Sequence, residues 1–198
     1  MEGVPCTVYG KNRNAVFVRI FLWGFLFTVN GTLFTPPVVL AALREEPRDN
    51  DKDEKPDEWR IFDGDRLVRI ERSRDAKGQP AVVIFFNQVG GKDVPIRSEV
   101  DRNHDGTPDL IRFYKEGKPD HEQADLNFDG KPDAWAFYKD GVKDLMIMDK
   151  NHDGKPDAWF YYGQGGLKLS GGRVDEDFDG KIDRTFGTVP EKETRRPW

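Results

Sequence analysis

Hydrophobic positions along this chain fall into two regimes. From Ile20 to Leu43 the sequence is uncharged and densely apolar over Ile20–Val29. Beyond it, short aromatic and β-branched runs recur: Trp59–Phe62, Val82–Phe86, Leu110–Tyr114, Ala134–Tyr138 and Ala158–Tyr162. Each is followed by a Gly turn, at Gly64, Gly90-Gly91, Gly117, Gly141 and Gly165. Short runs of this composition ended by Gly read as strands of β-hairpins. Within each, the Trp, Ile or Val and the residue two later share one face of the strand. Return strands are expected at Arg66–Ile70, Val94–Val100 and Val142–Met148, with a weak one over the polar stretch Lys118–Ala124.

The first regime reads as a leader. Lys11, Arg13 and Arg19 precede the apolar run, and the small residues Ala41 and Ala42 end it. A basic start, an apolar centre and small residues describe a secretory signal peptide; an uncleaved helical anchor is the alternative. Either predicts export of the remainder, residues 43–198, to the periplasm, the cell surface or the medium, with any membrane contact confined to residues 1–42.

The polar stretches between strands are themselves a repeat. The nonapeptide Asp-x-Asn/Asp-x-Asp-Gly-x-x-Asp begins at Asp101, Asp125, Asp149 and Asp175. A fifth copy begins at Asp49 with Glu54 in the Gly position, and a worn sixth is expected near Glu71–Asp75. The units then run 49–70, 71–100, 101–124, 125–148, 149–174 and 175–198, the last a capping repeat with Thr185 and Gly187 in the aromatic positions. Oxygen-bearing side chains at alternate positions, closed by a Gly turn, describe a cage for a hard cation, with the backbone carbonyl of position 7 as a further donor. The expected donors are Asp49, Asp51, Asp53 and Asp57; Asp101, Asn103, Asp105, Thr107 and Asp109; Asp125, Asn127, Asp129, Lys131 and Asp133; Asp149, Asn151, Asp153, Lys155 and Asp157; and Asp175, Asp177, Asp179, Lys181 and Asp183. All are oxygen donors, with no His or Cys in register. That favours calcium, up to five ions, over zinc or copper, and over magnesium with its rigid octahedron.

Composition sharpens this picture. The chain of 198 residues carries 31 Lys+Arg and 36 Asp+Glu, for a net charge of −5. Of the 36 acids, 17 stand at loop ligand positions, where their mutual repulsion calls for a cation. The apolar content beyond residue 42 is low for a globular core, so ion binding is expected to share in the stability. A mild acidic balance without a basic stripe argues against a nucleic-acid partner. The single cysteine, Cys6, excludes a disulfide framework.

The loop resembles the calcium loops of EF-hand proteins, dockerins, thrombospondin type 3 repeats and integrin α-propeller repeats at positions 1, 3, 5, 6 and 9. It departs from EF-hands at position 12, which is Arg112, Ala136, Phe160 or Phe186 in place of a bidentate Glu. The fifteen residues between loops, with an internal Gly turn, have no room for two EF-hand helices. Strand–loop–strand is closest to the integrin type, and the whole unit looks like the tandem Asp-rich repeats of exported bacterial proteins. That resemblance implies calcium binding and leaves the biological task open.

The expected fold is therefore an all-β array of tandem hairpins with calcium loops, behind an N-terminal hydrophobic signal or anchor helix. No Ser/His/Asp or Cys/His set can be assembled, which points away from an enzyme. His104 and His152, at position 4, are expected to be exposed and turned from the ion, and His121 is isolated. The repeated Trp59, Trp135 and Trp159 read either as a shared apolar face or as an aromatic platform for a glycan. The expected function is an exported structural or interaction module stabilised by calcium, with a protein or glycan partner. The alternatives are a carbohydrate-binding module and, last, a hydrolase with structural calcium.

Overall fold

The computed structural model describes residues 43–193 except Gln164, together with Arg195 and the short segments Thr28–Val29 and Thr32–Leu33. The chain divides into two units, Met1–Leu40 and Ala41–Trp198. In the first, β1 (Thr28–Val29) pairs antiparallel with β2 (Thr32–Leu33). The expected signal or anchor helix lies outside the described residues.

The second unit is one antiparallel sheet of twelve strands, each paired with the next in sequence. They are β3 (Arg44–Arg48), β4 (Glu58–Asp63), β5 (Arg66–Arg74), β6 (Pro80–Val89), β7 (Lys92–Val100), β8 (Leu110–Lys115), β9 (Lys118–Ala124), β10 (Ala134–Lys139), β11 (Val142–Met148), β12 (Ala158–Tyr162), β13 (Leu169–Val174) and β14 (Arg184–Gly187). Because direction reverses at every step, the nonapeptide loops all fall at one end of the strands and the Gly turns at the other. The turns Gly90-Gly91, Glu116-Gly117 and Asp140-Gly141 have positive φ at both central residues, as type I′ requires. A register shift falls before the last residue of each aromatic run, at Ile61/Phe62, Phe85/Phe86, Phe113/Tyr114, Phe137/Tyr138 and Tyr161/Tyr162. These repeated bulges add local twist to the sheet.

One face holds the core. Trp135, Phe137, Leu145, Ile147 and Tyr161 form a buried cluster against which Trp159 and Val189 pack. Here Trp135, Ile147 and Trp159 are direct cross-strand partners, so three strands contribute a continuous apolar row. Toward β4 the same row alternates Trp59, Glu71, Val83, Glu99, Ile111 and Gln123. Arginines cover the rings there: the guanidinium of Arg74 lies 4.3 Å from the Trp59 ring centre and that of Arg97 5.7 Å from Phe113. Their aliphatic stems shield apolar surface while the charged heads stay near water. A sheet with few apolar residues is thereby covered by its own cations.

Two expectations need correction. Lys118–Ala124 is a complete strand, β9, paired on both sides. His121 stacks on Phe113 at 4.5 Å and Arg112 is hydrogen-bonded to Glu122 at 2.7 Å, so cross-strand pairs replace the missing apolar residues. The worn loop starts at Ser73, two residues later than the sequence reading placed it. The Ser73 N–H donates to the carbonyl of Asp57, the bond that position 1 makes in the later loops. Gly78 then holds position 6 with φ of +76°. Position 1 is Ser73, position 5 is Lys77 and position 9 is Ala81, so this loop has lost three of its carboxylates, keeps only Asp75, and has gained an ammonium.

Candidate metal centres

Each loop is closed by the main chain before any side chain acts. The position 9 N–H donates to the carbonyl preceding position 1, as in Asp109 to Val100, Asp133 to Ala124 and Asp157 to Met148, all at 2.8 Å. The position 1 N–H donates to the position 9 carbonyl of the loop before: Asp125 to Asp109, Asp149 to Asp133 and Asp175 to Asp157, again at 2.8 Å. Successive loops are thus tied together along one end of the sheet.

The side chains then fold inward. Oδ2 of position 1 accepts the N–H of position 6, at 2.9 Å in Asp101–Gly106 and 2.7 Å in Asp125–Gly130, Asp149–Gly154 and Asp175–Gly180. Oδ2 of position 9 accepts the N–H groups of positions 2 and 3, at 2.6 and 3.2 Å in Asp157. Asn103, Asn127 and Asn151 accept from position 5 through Oδ1. The position 5 carboxylates accept from position 7, fixing Thr107, Lys131, Lys155 and Lys181. In the first loop Asp49 accepts from Glu54 at 2.9 Å, and Glu54 takes φ of +70° to make that bond. Position 4 is left-handed too, at Lys52, His104, Phe128, His152 and Phe178.

Burial marks positions 1 and 9 of the inner loops and position 1 of the last. Asp101, Asp109, Asp125, Asp133, Asp149, Asp157 and Asp175 are all at most 9% exposed. Asp49 and Asp183, in the two outermost loops, are exposed. Oδ1 of Asp101 and Oδ1 of Asp175 are buried with no hydrogen-bond partner. Carboxylate oxygens of Asp49, Asp51 and Asp57, and of Asp175, Asp177 and Asp183, lie within 4.8 Å of one another. The position 5 acids Asp53 and Asp179 stand outside these two groups; Asp179 is paired with the Lys181 ammonium at 2.8 Å.

Electrostatics follow this crowding. The N–H of Asp53 lowers the Asp51 carboxyl, but loss of solvent and the charges of Asp53 and Asp57 outweigh it, and the group sits above its usual range. Asp177 behaves alike: the N–H of Asp179 opposes, and desolvation with Asp183, Asp179 and Asp175 prevails. Asp133 goes the other way. Burial raises it, but the bond from His152 and the N–H groups of Leu126 and Asn127 hold it below the ordinary carboxylate range. The His152 contact, Nδ1 to Asp133 Oδ1 at 2.7 Å, joins position 4 of one loop to position 9 of the preceding one. His152 is exposed as expected, yet it is not idle. The spacing of 24 residues between Asp125 and Asp149 held the signal, since it brings position 4 of the later loop to position 9 of the earlier one.

No family model matches the chain, and no curated protein matches it.

Proposed function

We propose that the protein is a calcium-binding repeat module whose loops hold ions along one end of a twelve-stranded sheet. The observation that carries this reading is the row of buried loop aspartates from Asp101 to Asp175, two of them with an unpartnered buried oxygen. Backbone N–H groups satisfy part of each carboxylate, but burying several negative charges side by side is costly without a countercharge. His152 on Asp133 is the one basic side chain paired with these buried aspartates among the described residues. Oxygen donors alone, flexible in number, suit calcium. The exported location and the structural or interaction role belong to this same proposal, with the leader and the resemblance to exported Asp-rich repeats as their support. The glycan-platform alternative finds no support at Trp135, which is 6% exposed.

Chelation tests the reading. A site of ~10⁻⁴ M adds roughly 1.4 kcal/mol at about 1 mM free calcium, so five add about 7 kcal/mol at most. The melting temperature is expected to fall steeply in EDTA and to return with calcium. Calorimetric titration should give several bound ions per chain. An unchanged melt together with a flat titration would refute the proposal.

A further inference from the structure

Among the described residues a cavity of about 470 Å³ lies on the core face of the sheet near its C-terminal end, bordered by Gly154 and Pro156 of the loop starting at Asp149. Trp159 and Tyr161 of β12 line it, with Arg173 of β13 beside them. Glu193 and Arg195 of the C-terminal tail and Ile182 of the last loop complete the wall. Its volume lies in the range of small-molecule sites, and it joins apolar surface to a few convergent polar groups.

Three features point to an occupant. Tyr161 is 5% exposed and its hydroxyl is buried without a hydrogen-bond partner. A buried tyrosine hydroxyl nearly always has one. Second, the cations at this wall are not equally neutralised. Arg195 reaches both carboxylate oxygens of Glu193 at 2.8 Å and Asp144 at 2.5 Å. Arg173 has no carboxylate partner among the described residues; its Nη2 donates to the Pro190 carbonyl. Third, Trp159 is only partly buried, so its indole offers a flat apolar surface beside these groups.

We propose that this cavity binds a pyranose ring bearing a carboxylate, a uronate unit of an acidic glycan. The C–H face of the ring lies on Trp159, the carboxylate meets Arg173, and ring hydroxyls meet the Tyr161 hydroxyl and the Glu193–Arg195 pair. An aromatic acid would satisfy Arg173 but leave the hydroxyl-seeking groups unmet. A neutral sugar would leave the guanidinium unmet. None of Trp159, Tyr161 and Arg173 is a loop donor, so the polar contacts of the site are separate from those proposed for calcium.

Calorimetric titration of the full chain with sodium glucuronate, glucose and benzoate tests this. Glucuronate should saturate, with glucose about tenfold weaker or worse for want of one charge-assisted contact, and benzoate about tenfold weaker or worse for want of its hydroxyl contacts. Arg173→Gln should erase the preference of glucuronate over glucose. Tyr161→Phe keeps the ring in place and should weaken both sugars severalfold. Both variants leave the loop aspartates intact, so a loss of binding in them separates the cavity from uronate bridging on bound calcium. The proposal is overturned if glucuronate fails to saturate, if benzoate binds as well as glucuronate, or if binding is unchanged in both variants.

Discussion

At the scale of single residues, the loops show how much conformational strain one position can hold. Position 6 needs a left-handed backbone, which Gly130 and Gly154 adopt at φ of +87° and +86°. Glu54 adopts it at +70° with a side chain in place. Replacing it should relieve roughly 1 kcal/mol. Glu54→Gly is therefore expected to tighten calcium at the Asp49 loop severalfold in a calorimetric titration; an unchanged or weaker affinity would show that strain does not limit this site. Glu58 is a second informative residue. It is 3% exposed between Arg60 and Arg72, at 2.8 and 2.9 Å. Burial raises its carboxyl, but the two guanidinium bonds prevail and hold it below the usual range. A depressed folded-state value means that its contribution is full above the unfolded value of about 4.3 and is lost as pH falls through the folded value. Both arginines are partly solvated, so Glu58→Gln should cost only about 1–2 kcal/mol at neutral pH. It should cost little in strong acid. Urea melts of both proteins across that range check the sign.

Among elements, the edge pairing between β13 and β14 is one with few apolar residues, Leu169, Val174 and Phe186. It is closed by glycine. A Cβ at Gly171 would stand 2.5 Å from the Thr188 carbonyl oxygen and 2.6 Å from that of Phe186. At Gly172 it would enter the Phe186 ring, at 2.7 Å. The two backbones approach because Gly171 is paired with Gly187 and neither carries a side chain, while Gly172 leaves room for the Phe186 ring. Gly171→Ala should therefore detach the edge strand at a cost of about 1–3 kcal/mol. Hydrogen exchange should show lost protection in Arg184–Gly187 with β10 and β11 unaffected. Calcium at the loop starting at Asp175 should weaken as well, because its ninth residue, Asp183, opens directly into β14. The opposite outcome, full protection of β14 in the variant, would mean that the strand pairs without needing the close approach.

On the scale of the whole second unit, a twelve-stranded sheet with no second layer packed on it among the described residues has to distribute its stability along its length. Loops are tied to loops by main-chain bonds, and Trp135, Ile147 and Trp159 share one row across β10, β11 and β12. Such an array transmits damage to neighbours more than to distant units. Trp135→Ala should cost about 3–5 kcal/mol. It should lower calcium affinity at the loops starting at Asp125 and Asp149 and spare the loop at Asp49, where Trp59 lies under Arg74. A calcium isotherm that overlays that of the parent protein would reject this coupling.

The sequence alone determined the strands and the loops, because both are local. Aromatic and β-branched runs set strand direction and facing with a period of two, as in Trp135 and Phe137, and the nonapeptide carries its own turn chemistry in consecutive residues. It did not place Lys118–Ala124 firmly as a strand, because the residues that make it one, Phe113 and Arg112, belong to a neighbour. It missed the register of the worn loop, because Ser73 and Ala81 bear no ligand to mark the ends, and only the main-chain bond to Asp57 fixes the frame. The contact of His152 with Asp133, the arginines laid over the rings and the cavity beneath the C-terminal tail were decided by the tertiary structure. Each joins residues from different strands or loops, and adjacency of that kind exists only once the sheet has set the spacing and order of its strands.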